Sequence, residues 1–394
     1  MSNDIPVPHL VSGLYRAFLF REPDPIGLKL HAEVIGGGKP LEDVLRQLLK
    51  SQEFVAKSDR FLQEYIPDKF IEAKSGLQPL EFDHATHQWM GVPVTFALNK
   101  AASDTYTEEL RRGITPQEFV PYIVRRAGQM SRPHRVADFG ANVGAVSLLL
   151  AAAGADVLAV EAQPTNFMAL ATAARLNRPR KMLPVNVAAF GTSGLISLSG
   201  HSAWVTAGAT RAGDHVTVAC DTLVNILTTY GFADVDTIKI DIEGAELPAL
   251  NGADALFSER PGIEVIYESN SHTCRLFGYD RQDLMRWFEE RGFANYVFCH
   301  GEGLMPVKHS DPQPIIVADV LATKRTPDEL LRQGETIVPM TDDYVLQGLL
   351  TSARSSNPNV RKHFVTEAGR TDDHIKASPV WAEIEEALHI GASV

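Results

Sequence analysis

The stretch VADFGANVG, from Val136 to Gly144, decides the fold. Apolar residues run up to Asp138, the chain turns through Gly140 and Asn142, and a helix opens at about Gly144. That is a buried strand feeding a turn and then a helix. Open α/β sheets bind ligands at such turns, outside the carboxyl ends of their strands. Glycines there remove Cβ atoms, so a ligand can lie against the backbone. The spacing narrows the choice of ligand. A dinucleotide loop has G-x-G-x-x-G, which brings amides onto a pyrophosphate. Here the pattern is Gly140-x-x-x-Gly144, with an acid two residues before the first glycine. A carboxylate beside the loop disfavours a phosphate anion and favours a cation.

Outward from this loop, strand-like runs alternate with helical patterns between Arg135 and about Lys324. Strands are expected at RVADF, DVLAVE, LPVNVAAF, TIKIDI and IEVIYES, with helices beginning near Val143, Asn166, Ala245 and Arg281. Such alternation argues a parallel sheet wrapped by helices. Further on, YVFCH and PIIVADVLAT read as two strands with no helix between them, hence an antiparallel hairpin. Before the sheet, LVSGLYRAFLF, IGLKLHAEVI and LEDVLRQLLKSQEFV carry apolar residues at helical spacing. The expected organisation is a helical N-terminal domain over residues 1–60, a helical connector or lid over 61–130, the α/β domain over 131–325, and a helical extension over 326–394. In that extension helices are expected near Tyr344–Arg354 and Trp381–Ile390, with SSNPNVRKHFVTEAGRTDD between them as a loop.

The chain has 394 residues, with 37 Lys plus Arg against 49 Asp plus Glu, for a net charge of −12. Binding a polyanion needs a basic footprint, so no nucleic-acid partner is expected. Three scattered cysteines (Cys220, Cys274, Cys299) give neither a disulfide framework nor a zinc spacing. The longest apolar run, Val143 to Ala155, falls short of the ~20 residues that span a bilayer, so no membrane span is expected. The N-terminus has no basic n-region and is not read as a signal peptide. The default is a soluble, bacterial-type cytoplasmic protein.

Glu161 closes the strand DVLAVE, seventeen residues after Gly144. A carboxylate there can accept hydrogen bonds from both hydroxyls of a ribose. Nicotinamide dehydrogenases also place an acid at this point. Combined with a loop that favours a cation, it points instead to S-adenosylmethionine, which carries amino and sulfonium groups. Farther along, IDIEGAE sets Asp241 at the end of an apolar strand, Glu243 in the turn, and Glu246 in the first turn of a helix. There Glu246 complements the helix dipole. Asp241, Glu268 and Asn270 offer hard oxygen ligands for Mg2+, but three such groups are too few to assign a metal. His201 and Trp204 sit in an inserted segment, Gly200 to Val218, that reads as a β-hairpin over the cleft.

VADFGANVG, VEAQP (Val160–Pro164), NVAAF (Asn186–Phe190) and IKIDIEGAE (Ile238–Glu246) together resemble the FkbM family of S-adenosylmethionine-dependent methyltransferases. The likeness covers about Arg135 to Lys324. It implies a class I, Rossmann-like seven-stranded sheet with helices on both faces and a reversed last strand. It also implies methyl transfer to oxygen, on a hydroxyl of a sugar, glycan or natural product. On this reading Asp138, Gly140, Asn142, Gly144, Glu161, Asn186 and Ala188 hold the cofactor, the last two beside the adenine. Asp241, Glu243, Glu268 and His272 are the candidate catalytic groups. The segment YRAFLFREPDPIGLKLHAEVI and the helix after it resemble a small helical domain distantly like phycobilisome linkers. The expected partner is a small-molecule or glycan acceptor, with C-terminal helices that can pair in a homo-oligomer. Two rival readings remain: a glycan-associated scaffold that keeps the fold without turnover, and a nicotinamide oxidoreductase.

Overall fold

The structure is a computed structural model. It describes residues 23–37, 81–102, 104–113, 119–177, 181–201, 204–207, 215–299, 301–355 and 357–392, together with Val7, Val11 and Val44. Two compact units divide between Leu80 and Glu81. In the first, helix α1 (Pro25–Gly36) follows Asp24, whose side chain accepts the Gly27 amide at 2.9 Å. Leu28 and Ala32 of α1 pack with the buried Val11 and Val44. The rest of the expected helical N-terminal domain, and most of its linker-like segment, lies outside the described residues.

The second unit opens with an antiparallel hairpin, β1 (Phe82–Trp89) and β2 (Val92–Asn99), turning at Met90 and Gly91. Both turn residues have positive φ, the conformation that matches strand twist in a tight hairpin. Over the described part of 61–130, this corrects the expectation of a helical connector. Burial alternates along β1 from His84 onward, while β2 sinks Val94, Phe96 and Leu98 into the core. Two helices complete this region, α2 (Thr105–Arg111) and α3 (Phe119–Gly128). The Asp104 carboxylate caps α2 by accepting the Thr107 amide at 2.9 Å.

There follow β3 (Arg135–Phe139), α4 (Ala145–Ala152), β4 (Asp156–Val160), α5 (Pro164–Asn177), β5 (Met182–Val185), β6 (Ala188–Ala189), β7 (Gly194–His201), β8 (Trp204–Ala207), β9 (His215–Asp221), α6 (Leu223–Thr229) and β10 (Thr237–Ile240). The chain continues through α7 (Glu246–Leu250), α8 (Asp254–Glu259), β11 (Glu264–Asn270), α9 (Ser271–Leu276), α10 (Arg281–Glu289), β12 (Ala294–Cys299), β13 (Gly303–Val307), β14 (Val317–Thr323) and α11 (Pro327–Arg332). The main sheet has eight strands in the order β13-β12-β14-β11-β10-β3-β4-β5. From β5 to β11 the pairing is parallel; β14 runs antiparallel to both β11 and β12. The expected α/β class and reversed strand are present.

Three details differ from the expectation. The sheet gains an eighth strand, because β12 makes its hairpin with β13 on the outer edge, while β14 returns on the inner side of β12. LPVNVAAF is not one strand but two, β5 and β6, which belong to different sheets. The second sheet, β6-β9-β7-β8, contains the expected hairpin as β7 and β8; the side chains of His201 and Trp204 lie outside the described residues.

Successive strand residues point to opposite faces, and both faces are buried. Phe139, Ile238, Ile240 and Tyr267 enter one core; Val136, Val157, Ile266 and Leu321 enter the other. The C-terminal helices α12 (Asp342–Ala353), α13 (Pro358–Arg370), α14 (Asp373–Lys376) and α15 (Pro379–Ala392) pack around Leu349, Phe364 and Ile384. Helix α13 corrects the expected loop. Its first residue is Pro358, favoured at a helix start. The apolar stripe is thin because His363 and Glu367, both polar, are fully buried on it.

Candidate active site

The strand order reverses beside β3, so the chain parts there and leaves a crevice at the carboxyl ends of β3, β4, β10 and β11. A cavity of about 280 Å³ occupies it. One half is lined by Gly140, Asn142, Val160, Glu161, Ala188 and Leu198; the other by Tyr106, Asp241, Glu243, Glu268, Val317 and Asp319. Lys239 lies between them and is the one cationic side chain lining the cavity among the described residues.

The glycine loop works differently from the expectation. Gly140 does line the cavity, at φ +80°. A Cβ there would stand 1.7 Å from the main-chain oxygen of Asp241, so this glycine lets the ends of β3 and β10 meet. Gly144 does not face the cavity at all. It starts α4 at φ +92°, and a Cβ would meet Leu170 of α5 at 2.7 Å. The glycine lets α4 and α5 pack closely.

Asp138 is likewise not on the cavity wall. Its carboxylate is fully buried, accepting the Ser147 hydroxyl at 2.6 Å and pairing with the Lys239 ammonium at 3.2 Å. Lys239 also donates to the Gly140 carbonyl at 2.8 Å and pairs with Asp241 at 3.3 Å. Burial works against charging Lys239, but the carboxylates of Asp138 and Asp241 outweigh it and hold its pKa above the usual lysine range. The ammonium thus ties the ends of β3 and β10 to the loop between β3 and α4. Lys239 escaped the sequence reading; a lysine inside the apolar run TIKIDI was the available signal.

Glu161 sits where expected, at the end of β4 and on the wall. Its two oxygens accept the amides of Asn142 at 2.8 Å and Gln163 at 2.7 Å. Burial pushes its pKa up to about 7, against the pull of those two amides. Asn142 adopts φ +51°, which an asparagine tolerates better than most residues. Asn186 is a positioning group: its amide donates to the carbonyls of Glu161 at 2.8 Å and Ala162 at 3.0 Å, while its neighbours Val187, Ala188 and Ala189 face the cavity.

Across the cavity, carboxylate oxygens of Asp241, Glu243 and Glu268 lie within 4.8 Å of one another. Glu243 occupies the turn after β10 at φ +55°. Burial, then Asp241 and Glu246, push its pKa well above the carboxylate range. Glu268 is raised too, by burial and then by Asp241 and Glu243. Asp319, absent from the sequence reading, is raised to about 7 by burial and by Asp241, against the pull of Lys239. Glu246 has the structural role expected of it, accepting the amides of Ile242 at 2.9 Å and Gly244 at 3.2 Å. His272 does not line the cavity; it enters α9, where its amide donates to the Asn270 cap at 3.0 Å. The Asn270 oxygen is spent on that cap, while its side-chain amide donates to the Glu268 carboxylate at 3.4 Å.

Residues 138–294 match the methyltransferase FkbM domain. That stretch is similar to the methyltransferase FkbM domain over about two fifths of the chain. The match falls within Arg135 to Lys324, the stretch whose motifs carry the resemblance to S-adenosylmethionine-dependent methyltransferases. No curated protein matches the chain in sequence. Among solved structures, a 16S rRNA methyltransferase from T. thermophilus is 17% identical at TM-score 0.34, the likeness covering 63% of this chain and 52% of that one. A precorrin-6y methyltransferase from Geobacter metallireducens is 13% identical at TM-score 0.32, covering 58% and 94%. This chain therefore spans about half the length of the first and nearly all of the second. The FkbM match stops short of Tyr106, Val317 and Asp319, so both flanks of the domain add wall to its cavity. Among the described residues no helix is long and apolar enough to cross a membrane.

Proposed function

We propose that this cavity holds S-adenosylmethionine between Glu161 and Asp241 and that the protein methylates a hydroxyl oxygen of a sugar, glycan or related natural product. The residues fit the cofactor. Glu161 keeps lone pairs for the ribose hydroxyls beyond those its two backbone amides use. Val187, Ala188 and Leu198 offer an apolar slot of the kind a purine needs. The carboxylates opposite complement a sulfonium. The observation that carries the reading is Glu161 and Asp241 lining one cavity across the Gly140 loop.

Bound there, the cofactor supplies a methyl group made electrophilic by positive sulfur. The chain's residues align the acceptor and exclude water. Asp241, Glu243 and Glu268 would take the proton of the acceptor hydroxyl as that oxygen is methylated. General-base assistance of this kind contributes on the order of 10²–10⁴-fold. The acidic wall supports a neutral, hydroxyl-rich acceptor over an anionic one. The N-terminal segment, whose sequence resembles a linker-like domain, would suit glycan handling, and a cytoplasmic location fits the cofactor. Calorimetric titration with S-adenosylmethionine, beside Glu161→Ala, tests the assignment. Binding by the wild type that the variant loses is expected; undiminished binding by the variant would overturn it.

A further inference from the structure

Glu268 of β11 and Asp319 of β14 are directly opposed in the antiparallel ladder. Directly opposed residues project to the same face, with Cβ atoms on the order of 4.5–5.5 Å apart. Both side chains face the cavity. Two carboxylates so placed do not both stay ionised unless a positive charge joins them. The nearest cation is Lys239, already committed to Asp138, Asp241 and the Gly140 carbonyl. Every other charged group facing the pair makes matters worse: Asp241 from β10, Glu243 from the turn after it, Glu246 from α7 and, across the cavity, Glu161 from β4.

We propose that Glu268 and Asp319 form a carboxyl pair that holds one proton, releases it when the cofactor's positive charge enters, and then accepts the proton of the methyl acceptor. This rests on the cofactor reading above and assigns Asp319 a part in the reaction. The proton balance closes over one turnover. The empty pair carries one proton. It becomes a dianion once the sulfonium stands beside it. It then takes the acceptor's hydroxyl proton while oxygen gains the methyl and the carbon–sulfur electron pair returns to sulfur. The thioether left behind is neutral, and the pair again carries one proton beside an uncharged sulfur. Burial that raises Asp319 to about 7 keeps this exchange within the neutral range.

The test compares two nucleosides that differ by the sulfonium charge. The full chain is titrated calorimetrically with S-adenosylmethionine and with S-adenosylhomocysteine, near pH 7 with a chelator present, in buffers of different ionisation enthalpy. The wild type is expected to release about one proton more with the first than with the second. Asp319→Asn and Glu268→Gln should each cut that difference by at least half while keeping homocysteine-nucleoside affinity, a result that simple loss of packing would not give. Equal proton counts for the two nucleosides in the wild type, or an undiminished difference in both variants, would overturn the pair. If neither variant folds, the wild type still decides. Its affinity ratio for the two nucleosides should rise with pH between 6 and 8, by up to about tenfold per unit, and a flat ratio overturns the proposal. Failure to bind either nucleoside strikes instead at the cofactor reading.

Discussion

The two halves of the cavity treat their carboxylates in opposite ways. On the β4 side, Glu161 is buried but each oxygen accepts a backbone amide, so the group is tied into the main chain on both sides. On the β10–β11–β14 side, Asp241, Glu243 and Glu268 cluster with Asp319 opposite Glu268, and Lys239 is committed to Asp138, Asp241 and the glycine loop. The first half is satisfied before any ligand arrives; the second is short of positive charge. A satisfied carboxylate gives a rigid place to hang a neutral ribose. An under-compensated group of acids gives a place that gains when a cation arrives.

The comparison breaks most directly at Lys239, which joins the halves. Lys239→Met leaves Asp138 buried without its cation. Removing one partner of a buried pair costs about 3–5 kcal/mol, so chemical denaturation should show a loss of that order. A loss below about 1 kcal/mol, the scale of an exposed pair, would mean that Asp138 and Lys239 do not depend on each other. The next effect is on the satisfied side. Glu161→Ala removes an acceptor for two ribose hydroxyls; at about 1.5–3 kcal/mol for a bond to a charged group, S-adenosylmethionine should bind roughly 10²-fold more weakly. An equal loss for Asp138→Ala in a folded protein would show that both acids touch the ligand, against the burial of Asp138.

These assignments also show what the sequence could reveal. Glu161 and Asn142 were readable because they are neighbours of one loop, and local spacing fixes where a strand ends and a turn begins. Ala188 followed from the same order of motifs. Asp319 was not readable. Its meeting with Glu268 depends on the register of two strands fifty-one positions apart, which no local pattern encodes. Gly144 and Asp138 lie off the cavity wall for one reason: they pack beneath the loop, against Leu170 and Lys239, and packing leaves the same trace in sequence as ligand contact. The β1–β2 hairpin was hidden because its outer strand is largely polar, and α13 because His363 and Glu367 occupy its buried face.

A smaller effect sharpens the electrostatic half of the contrast. Asp319, whose folded pKa of about 7 lies above the ordinary aspartate value, binds more protons folded than unfolded between those two values. Its contribution to stability is therefore present at low pH and is lost as pH rises toward 7. Cofactor-free protein should lose stability across that window by up to about 1.4 kcal/mol per pH unit for each such group. Denaturation curves at successive pH values should show Asp319→Asn with a shallower fall than the wild type; an equal fall would mean that Asp319 ionises freely beside Glu268.

The smallest expected effect separates backbone from ligand on the β4 side. Asn142 holds φ +51° and donates its amide to Glu161. Glycine adopts that conformation freely, whereas alanine there costs about 1 kcal/mol. Asn142→Gly should therefore keep stability within a few tenths of a kcal/mol, and Asn142→Ala should not. If the asparagine side chain only suits the turn, S-adenosylmethionine binds Asn142→Gly as it binds the wild type. Because Asn142 lines the cavity beside Glu161, both variants are expected to lose affinity by the same severalfold factor despite their different stabilities. Unequal losses that follow stability would reduce Asn142 to a turn residue and leave Glu161 as the loop's polar contact to the ligand.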